Sequence, residues 1–195
     1  MVDHVRLTIV YTIMTFITLY CLFIAYFRLK FKFWSRQPVF HLHNIYYWIY
    51  YYFIKSGIIT DKLPDDSRFF DEKIQVYNFL NFPTEKKEPL VQFIRNNFLP
   101  NKSEQFDPPN DYVLDSFNNH DGLVTMSIKE YNNKILACMG MFPLYCKLDD
   151  TKIKMNYVDY LCVDKEHRKK NYAPNQIFTH LYHLKKMNNN FVCFF

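Results

Sequence analysis

Residues Val158 to Pro174 read Val-Asp-Tyr-Leu-Cys-Val-Asp-Lys-Glu-His-Arg-Lys-Lys-Asn-Tyr-Ala-Pro. The first six are mostly β-branched, aromatic or apolar and predict a strand. A basic loop, Lys165 to Lys170, follows directly. A helix opens near Ala173, with Pro174 in the first turn, where a missing N–H costs nothing. Ile177, Leu181 and Leu184 give that helix an apolar stripe. Free N–H groups and the positive end of the dipole make such a helix start a site for anions. Cations placed there oppose the dipole unless an anion is bound. The pattern therefore points to a phosphate-bearing ligand, with a solvated charge run as the alternative.

The rest of the chain supplies the setting. Tyr77 to Asn81 predicts a short strand. Glu85 to Phe98 predicts a helix, because Leu90, Phe93, Ile94 and Phe98 recur at helical spacing between Pro83 and Pro100. Asp111 to Phe117 predicts a second, shorter helix. Val124 to Lys129 and Lys134 to Pro143 flank the polar turn Glu130 to Asn133 and predict a β-hairpin. Ile153 to Val163 follows the turn Asp149 to Thr151 as the next strand. The expected order is strand, helix, helix, strand, strand, strand, helix, strand. Gly57 to Lys73 reads as a polar loop or linker.

Thr8 to Phe27 is a run of 20 residues without a charge. At about 1.5 Å per residue a helix of that length covers roughly 30 Å, the hydrocarbon thickness of a bilayer. A secretory signal is the weaker reading, because the run is long and no small-x-small site follows. Arg28, Lys30, Lys32 and Arg36 crowd the C-terminal flank, whereas Arg6 is opposed by Asp3 on the other. The positive-inside bias then places the remainder in the cytosol. We expect residues 1–30 to be a membrane anchor and residues 31–195 one domain. Ile45 to Ile54, dense in Tyr and Trp, is too short to span and suits the interface.

Other features narrow the function by exclusion. The net charge of +5 is bunched, unlike the broad basic face of a duplex-DNA binder, so no nucleic-acid partner is expected. Only 3 glycines argue against a Gly-rich nucleotide loop. Cys21, Cys138, Cys146, Cys162 and Cys193 contain no C-x-x-C, which argues for reduced thiols rather than zinc or a redox dithiol. His180 and His183 share a helix but have no companion ligand, so they read as a packing pair and no metal is expected. His41 and His43 are assigned nothing.

Two motifs carry a family resemblance. An Arg-led basic loop closed by Ala after a strand resembles the acyl-CoA pyrophosphate loop of the GNAT acyltransferase superfamily. Tyr160-Leu161-Cys162-Val163, followed by Arg168, Lys170, Ala173 and Pro174, resembles the glycylpeptide N-tetradecanoyltransferase (N-myristoyltransferase) family in particular. Lys32-Phe33-Trp34 with Gln37-Pro38-Val39 resembles that family's N-terminal CoA-binding segment. The helix at Glu85–Phe98, Phe106-Asp107 and the hairpin also fall where that family has them. The resemblance covers Phe31 to Phe195, the family's N-terminal half. It implies an α+β, GNAT-like mixed sheet with flanking helices.

The resemblance also implies roles. Lys32, Phe33 and Trp34 would cover the CoA. Tyr160, Leu161, Cys162 and Val163 would line the acyl-CoA path, with the backbone N–H groups of Tyr160 and Leu161 forming an oxyanion hole. Arg168, Lys169, Lys170, Asn171, Tyr172 and Ala173 would hold the pyrophosphate. No prosthetic group is implied; myristoyl-CoA is the acyl donor, and the amine of an N-terminal glycine attacks it directly. A different GNAT enzyme, acetylating lysine or a small amine, fits the Phe33-Trp34 and Tyr160–Val163 segments less well.

The sequence departs from the family pattern in places. Asp159 replaces an Asn, Lys169 a frequent Ser, and Asn171 an Arg. The loop Leu99 to Gln105 keeps one acid, Glu104, of an acidic run that holds basic peptides. The chain stops at Phe195, where the family's peptide-binding half and its terminal carboxylate base would follow. The expectation is therefore a membrane-anchored transferase whose second half is missing or on another chain. The alternative is a catalytically incomplete acyl-CoA-binding module.

Overall fold

The computed structural model describes residues 2–37, 39, 41–53, 67–99, 106–148, 150–187 and 193–194. Gly57 to Asp66 of the expected linker and Pro100 to Gln105 of the expected loop lie outside them, as do Pro38, Ile54 and Asp149. The chain divides into two compact units, Met1–Thr60 and Asp61–Phe195.

In the first unit, α1 (Val2–Lys30) is long and apolar enough to cross a membrane, and its side chains are largely exposed. Four threonines interrupt its apolar run. Thr8, Thr12, Thr15 and Thr18 each donate a hydroxyl to the carbonyl four residues back, at 2.8 Å. None of these hydroxyls then needs water, which suits a lipid setting. A 3-10 turn at Trp34–Arg36 follows, and then α2 (Ile45–Phe53), a single aromatic helix.

The second unit is one five-stranded sheet in the order β1-β2-β3-β4-β5. The strands are β1 (Ile74–Asn78), β2 (Thr125–Tyr131), β3 (Lys134–Leu148), β4 (Thr151–Val163) and β5 (Cys193–Phe194). All pairs are antiparallel except β4 with β5, so the sheet is mixed. The β2–β3 turn is the two residues Asn132 and Asn133, both at positive φ, which matches the right-handed twist of the strands. The expected element order is the observed one. The first strand lies earlier than expected, over Ile74–Asn78. Phe79–Asn81 is instead a 3-10 turn, which the Asn78 side chain caps by accepting from the Leu80 N–H.

Helices cover both faces. Helix α3 (Thr84–Asn97) and α4 (Asn110–Asn118) pack on one. Leu90, Val91 and Ile94 of α3 and Val113 of α4 are fully buried there, with Met126, Ile128 and Cys138. Phe117 stacks on Phe79 at 4.4 Å and lies 4.9 Å from Phe142. These two rings leave no room for a side chain at Gly140, where a Cβ would lie 2.9 Å from Phe142. Helix α5 (Tyr172–Met187) covers the opposite face.

Candidate functional site at the β4–α5 junction

The β4 strand slips register at the candidate site. Cys162 opposes Cys138 and Asp159 opposes Gly140, so Tyr160 and Leu161 together face Met139. This is a β-bulge, and Tyr160 takes positive φ (50°) to make it. The phase of the strand changes there. Tyr157 and Asp159 share the α3/α4 face with Tyr160 and Cys162, whereas Leu161 and Val163 turn to the α5 face. A left-handed tyrosine is strained and is held by its surroundings. The Tyr160 ring is buried among Phe98, Phe106, Phe117 and Phe142, and its hydroxyl lies 3.2 Å from Ser116 Oγ. Its carbonyl accepts the Cys138 thiol proton at 3.4 Å.

In this structure Tyr160 N–H donates to its neighbour's carboxylate, Asp159 Oδ1, at 2.7 Å. Burial pushes the Asp159 acid above the usual carboxylate range, and the Tyr160 N–H works against that rise. Burial, and then the charge of Asp159, likewise raises Tyr157. On its outer edge β4 pairs in parallel with β5 at Asn156 and Tyr157.

The loop after β4 is built locally. Asp164 Oδ1 accepts from Glu166 N–H and lies 3.0 Å from His167 Nδ1, closing the 3-10 turn Lys165–His167. His167, then the Glu166 N–H and the Lys134 and His167 charges, hold the Asp164 acid below its usual value against a burial effect. Lys169 (φ 63°) and Asn171 (φ 62°) are both left-handed, a conformation that glycine supplies most readily. Among the described residues no backbone carbonyl is hydrogen-bonded by the N–H groups of Lys169 or Asn171. Those of Tyr172 and Ala173 open α5, where a helix has no internal partner for them. The loop thus offers a run of backbone donors next to exposed Lys169 and Lys170.

Arg168 is placed differently from its neighbours. Its Nη2 donates to the Asn97 carbonyl at 3.2 Å and its Nε to the Val163 carbonyl at 3.3 Å. It ties the loop to the C-terminus of α3, where a cation suits the dipole. A cleft of about 330 Å³ lies beside this tie, lined by residues that include Phe93, Asn96, Lys134 and Glu166. The other end of the loop is pinned from β2. Lys129 pairs with Asp71 and sits 4.3 Å over the Tyr172 ring. Asp71 is also bonded by Asn175 of α5, and its N–H donates to Thr179 Oγ1 at 3.0 Å.

Of the residues expected at the site, Tyr160 to Ala173 come together on β4, its loop and α5. Lys32, Phe33 and Trp34 belong to the other unit; Phe33 is buried there, and Lys32 and Trp34 are exposed. Cys162 is buried in the core, and burial together with the Cys162 side chain holds the Cys138 thiol well above its usual range. Neither is placed to act as a nucleophile. His180 is buried, with ring nitrogens within hydrogen-bond reach of Thr125 and Ser127, whereas His183 is half-buried. Sequence reasoning missed the Asp159 bond, the bulge and the Lys129–Asp71 anchor. The bulge left one trace, a break in alternation between Asp159 and Tyr160.

No protein-family model matches the sequence, and no curated protein sequence matches it. Among solved structures the fold matches the Saccharomyces cerevisiae N-myristoyltransferase crystallised with bound myristoylCoA, with a TM-score of 0.57 and 15% identity. The alignment covers 82% of this chain and 38% of the yeast one, so the protein spans well under half the length of that enzyme. A conserved Enterococcus faecalis protein, a probable N-acyltransferase, aligns over 58% of this chain and 27% of its own at a TM-score of 0.44 and 11% identity, too distant to argue from. At these identities the likeness speaks for the fold alone, an α+β mixed sheet with helices on both faces that resembles the fold of the yeast enzyme.

Proposed function

We propose that the protein binds myristoyl-CoA and transfers its acyl group to the N-terminal glycine of a protein or peptide. The observation that carries this reading is the continuous path from the β4 bulge to the α5 N-terminus. Along it lie, in order, the β-bulge at Tyr160 and Leu161, the end of β4, and a loop with left-handed Lys169 and Asn171 and exposed Lys169 and Lys170 that runs into the α5 N-terminus. An acyl-CoA matches that order. Its thioester carbonyl would meet the bulge and its pyrophosphate the loop and the helix start. The fold likeness to an enzyme crystallised with myristoylCoA supports the choice of donor.

The chemistry needs no side-chain nucleophile, because a thioester is already reactive. The neutral glycine amine attacks the carbonyl carbon to form the C–N bond, and the proton its nitrogen sheds is taken up by the CoA sulfur as the C–S bond breaks. The carbonyl electron pair moves to oxygen and returns as the thiol of CoA leaves. Tyr160 and Leu161 N–H would hold the transient oxyanion, each donor being worth about 3 kcal/mol. The carbonyl must first displace Asp159 from Tyr160 N–H. Lys169, Lys170 and the N–H groups from Lys169 to Ala173 would hold the pyrophosphate, Arg168 would fix the loop, and Lys32, Phe33 and Trp34 would cover the CoA. Helix α1 would anchor the enzyme in a membrane with the second unit in the cytosol, as the flanking cations suggest.

A second reading, an acyl-CoA-binding module without transfer, is favoured by one observation: Asp159 already occupies an oxyanion donor. Calorimetry with a non-hydrolysable myristoyl-CoA analogue tests what the two share. Micromolar binding that weakens at least tenfold in the Lys169→Ala/Lys170→Ala variant is expected. No binding at high micromolar ligand would sink both. Acylation of a glycine-initiated peptide, followed by mass spectrometry, then separates transfer from binding.

A further inference from the structure

The charge of the protein is divided very unevenly. Met1–Thr60 holds six Lys or Arg and a single acid, Asp3, whereas Lys or Arg and Asp or Glu are equal in number from Asp61 onward. The whole net charge of +5 therefore resides in the first unit. Four of its cations, Arg28, Lys30, Lys32 and Arg36, fall within one short stretch at the C-terminal end of an apolar helix, and Arg28, Lys30 and Lys32 are exposed. No acid lies between His4 and Thr60 to offset them.

Aromatic rings surround this cluster. Lys30 Nζ donates to Tyr26 OH at 2.7 Å and lies over the Tyr26 and Phe31 rings. His43 stacks on Phe27 at 4.8 Å, and its carbonyl accepts from Tyr20 OH. Burial, and then His41 and Arg28, hold the His43 imidazole below its usual pKa, a sign of crowded positive groups. A groove of about 550 Å³ opens beside them, lined by rings that include Phe23, Phe27, Phe31 and Trp34. Helix α2 leaves Tyr46, Trp48, Tyr50, Tyr52 and Phe53 exposed. Its 9 residues cover about 14 Å, too little to cross a bilayer.

We propose that Arg28 to Arg36 and α2 form a collar in the headgroup layer of a membrane that binds anionic phospholipids selectively. The proposal rests on α1 being a membrane anchor. Rings with polar tips favour that layer, and the cations meet lipid phosphate where the apolar helix emerges. Anionic headgroups would relieve the crowding, which no acid of the unit beyond Asp3 offsets. A nucleic acid would satisfy the cations but would leave the apolar run of α1 exposed to water.

The protein carries its own probes, because its 2 tryptophans, Trp34 and Trp48, both lie in the collar. The full chain is reconstituted in phosphatidylcholine vesicles containing the same mole fraction of brominated phosphatidylcholine or brominated phosphatidylserine. Tryptophan quenching by the serine lipid should exceed that by the choline lipid at least about fivefold, the enrichment that ~1 kcal/mol at a single cation gives. The excess should vanish in the Arg28→Gln/Lys30→Gln/Lys32→Gln variant, while quenching by brominated phosphatidylcholine persists and reports correct insertion. It should also vanish for the unmodified protein in 1 M salt, where the Debye length is about 3 Å, an arm that needs no variant. Equal quenching by the two lipids overturns the selectivity and leaves the anchor reading intact. Absence of quenching by either removes the anchor reading as well. A larger tryptophan response to single-stranded RNA than to vesicles overturns the proposal and assigns the cations to nucleic acid.

Discussion

The two faces of the sheet are held by different physics. The α3/α4 face is an apolar and aromatic core, with Leu90, Val91 and Ile94 closing over Met126 and Ile128. The α5 face has polar groups at its centre. His180 Nε2 lies 2.8 Å from Thr125 Oγ1, and its Nδ1 lies 2.8 Å from Ser127 Oγ. Ser127 Oγ also accepts from Gln176 Nε2 at 2.7 Å. The first face rests on close apolar packing, which a lost methyl group damages. The second depends on protonation and on fixed geometry, and it positions the helix whose N-terminus faces the candidate ligand. One face holds the unit together and the other aims it.

The largest effects should come from the apolar face. Leu90→Ala removes a fully buried side chain from between α3 and the sheet and should cost about 2–5 kcal/mol. Denaturant unfolding should show that loss undiminished between pH 7.5 and pH 5, since no titrating group touches the packing. A loss that changed with pH would mean the two faces are coupled.

The polar face should behave in the opposite way. Burial, then the neighbouring His183, lowers the His180 pKa from 6.5 to about 3. Folded His180 is therefore neutral where the unfolded residue takes up a proton. Its contribution is fully present above pH 6.5 and is lost as pH falls toward 3, by up to about 1.4 kcal/mol per pH unit. His183 is also lowered, by burial and then Lys186, and adds a loss of the same sign as pH falls. The His180→Gln variant keeps a hydrogen-bonding side chain and separates the two. Its stability should fall less steeply than the native protein's between pH 6.5 and 4.5. Parallel slopes would show that His180 is not buried as a neutral base.

Gly140→Ala tests where the faces meet the bulge. The added Cβ would press on Phe142 and Phe117 opposite Asp159 and should cost about 1–3 kcal/mol. A neutral result would mean that the rings can yield and that the bulge is less confined than it looks.

These contrasts also mark what the sequence could tell. The apolar periodicity of α3 and the Asn132-Asn133 turn were readable because each rests on local spacing or local φ. The strand–loop–helix unit was readable for the same reason, and Pro174 marked its first turn. The polar centre of the α5 face was not, since Thr125, Ser127, Gln176 and His180 meet only once the sheet is formed. Asn78 as a cap, which ended the first strand early, was hidden by apolar Phe79 and Leu80 after it. The loop cations looked alike in sequence, yet Arg168 is bound to carbonyls while Lys169 and Lys170 face outward.

That last difference yields the smallest and most discriminating prediction. Arg168 joins the α3 side of the unit to the loop that α5 aims, so its loss should be structural first. Arg168→Ala removes two bonds to backbone carbonyls, one of them at a helix C-terminus, and should cost about 1 kcal/mol of stability. Lys170→Ala removes an exposed charge and should leave stability unchanged. In calorimetry with a myristoyl-CoA analogue the order should reverse, with Lys170→Ala weakening binding directly and Arg168→Ala acting only through the loop. Salt separates the two, because a lost phosphate contact lowers the salt dependence of binding whereas a loosened loop leaves it in place. If Arg168→Ala flattens the salt dependence as much as Lys170→Ala does, the arginine leaves its carbonyls for the ligand when CoA arrives.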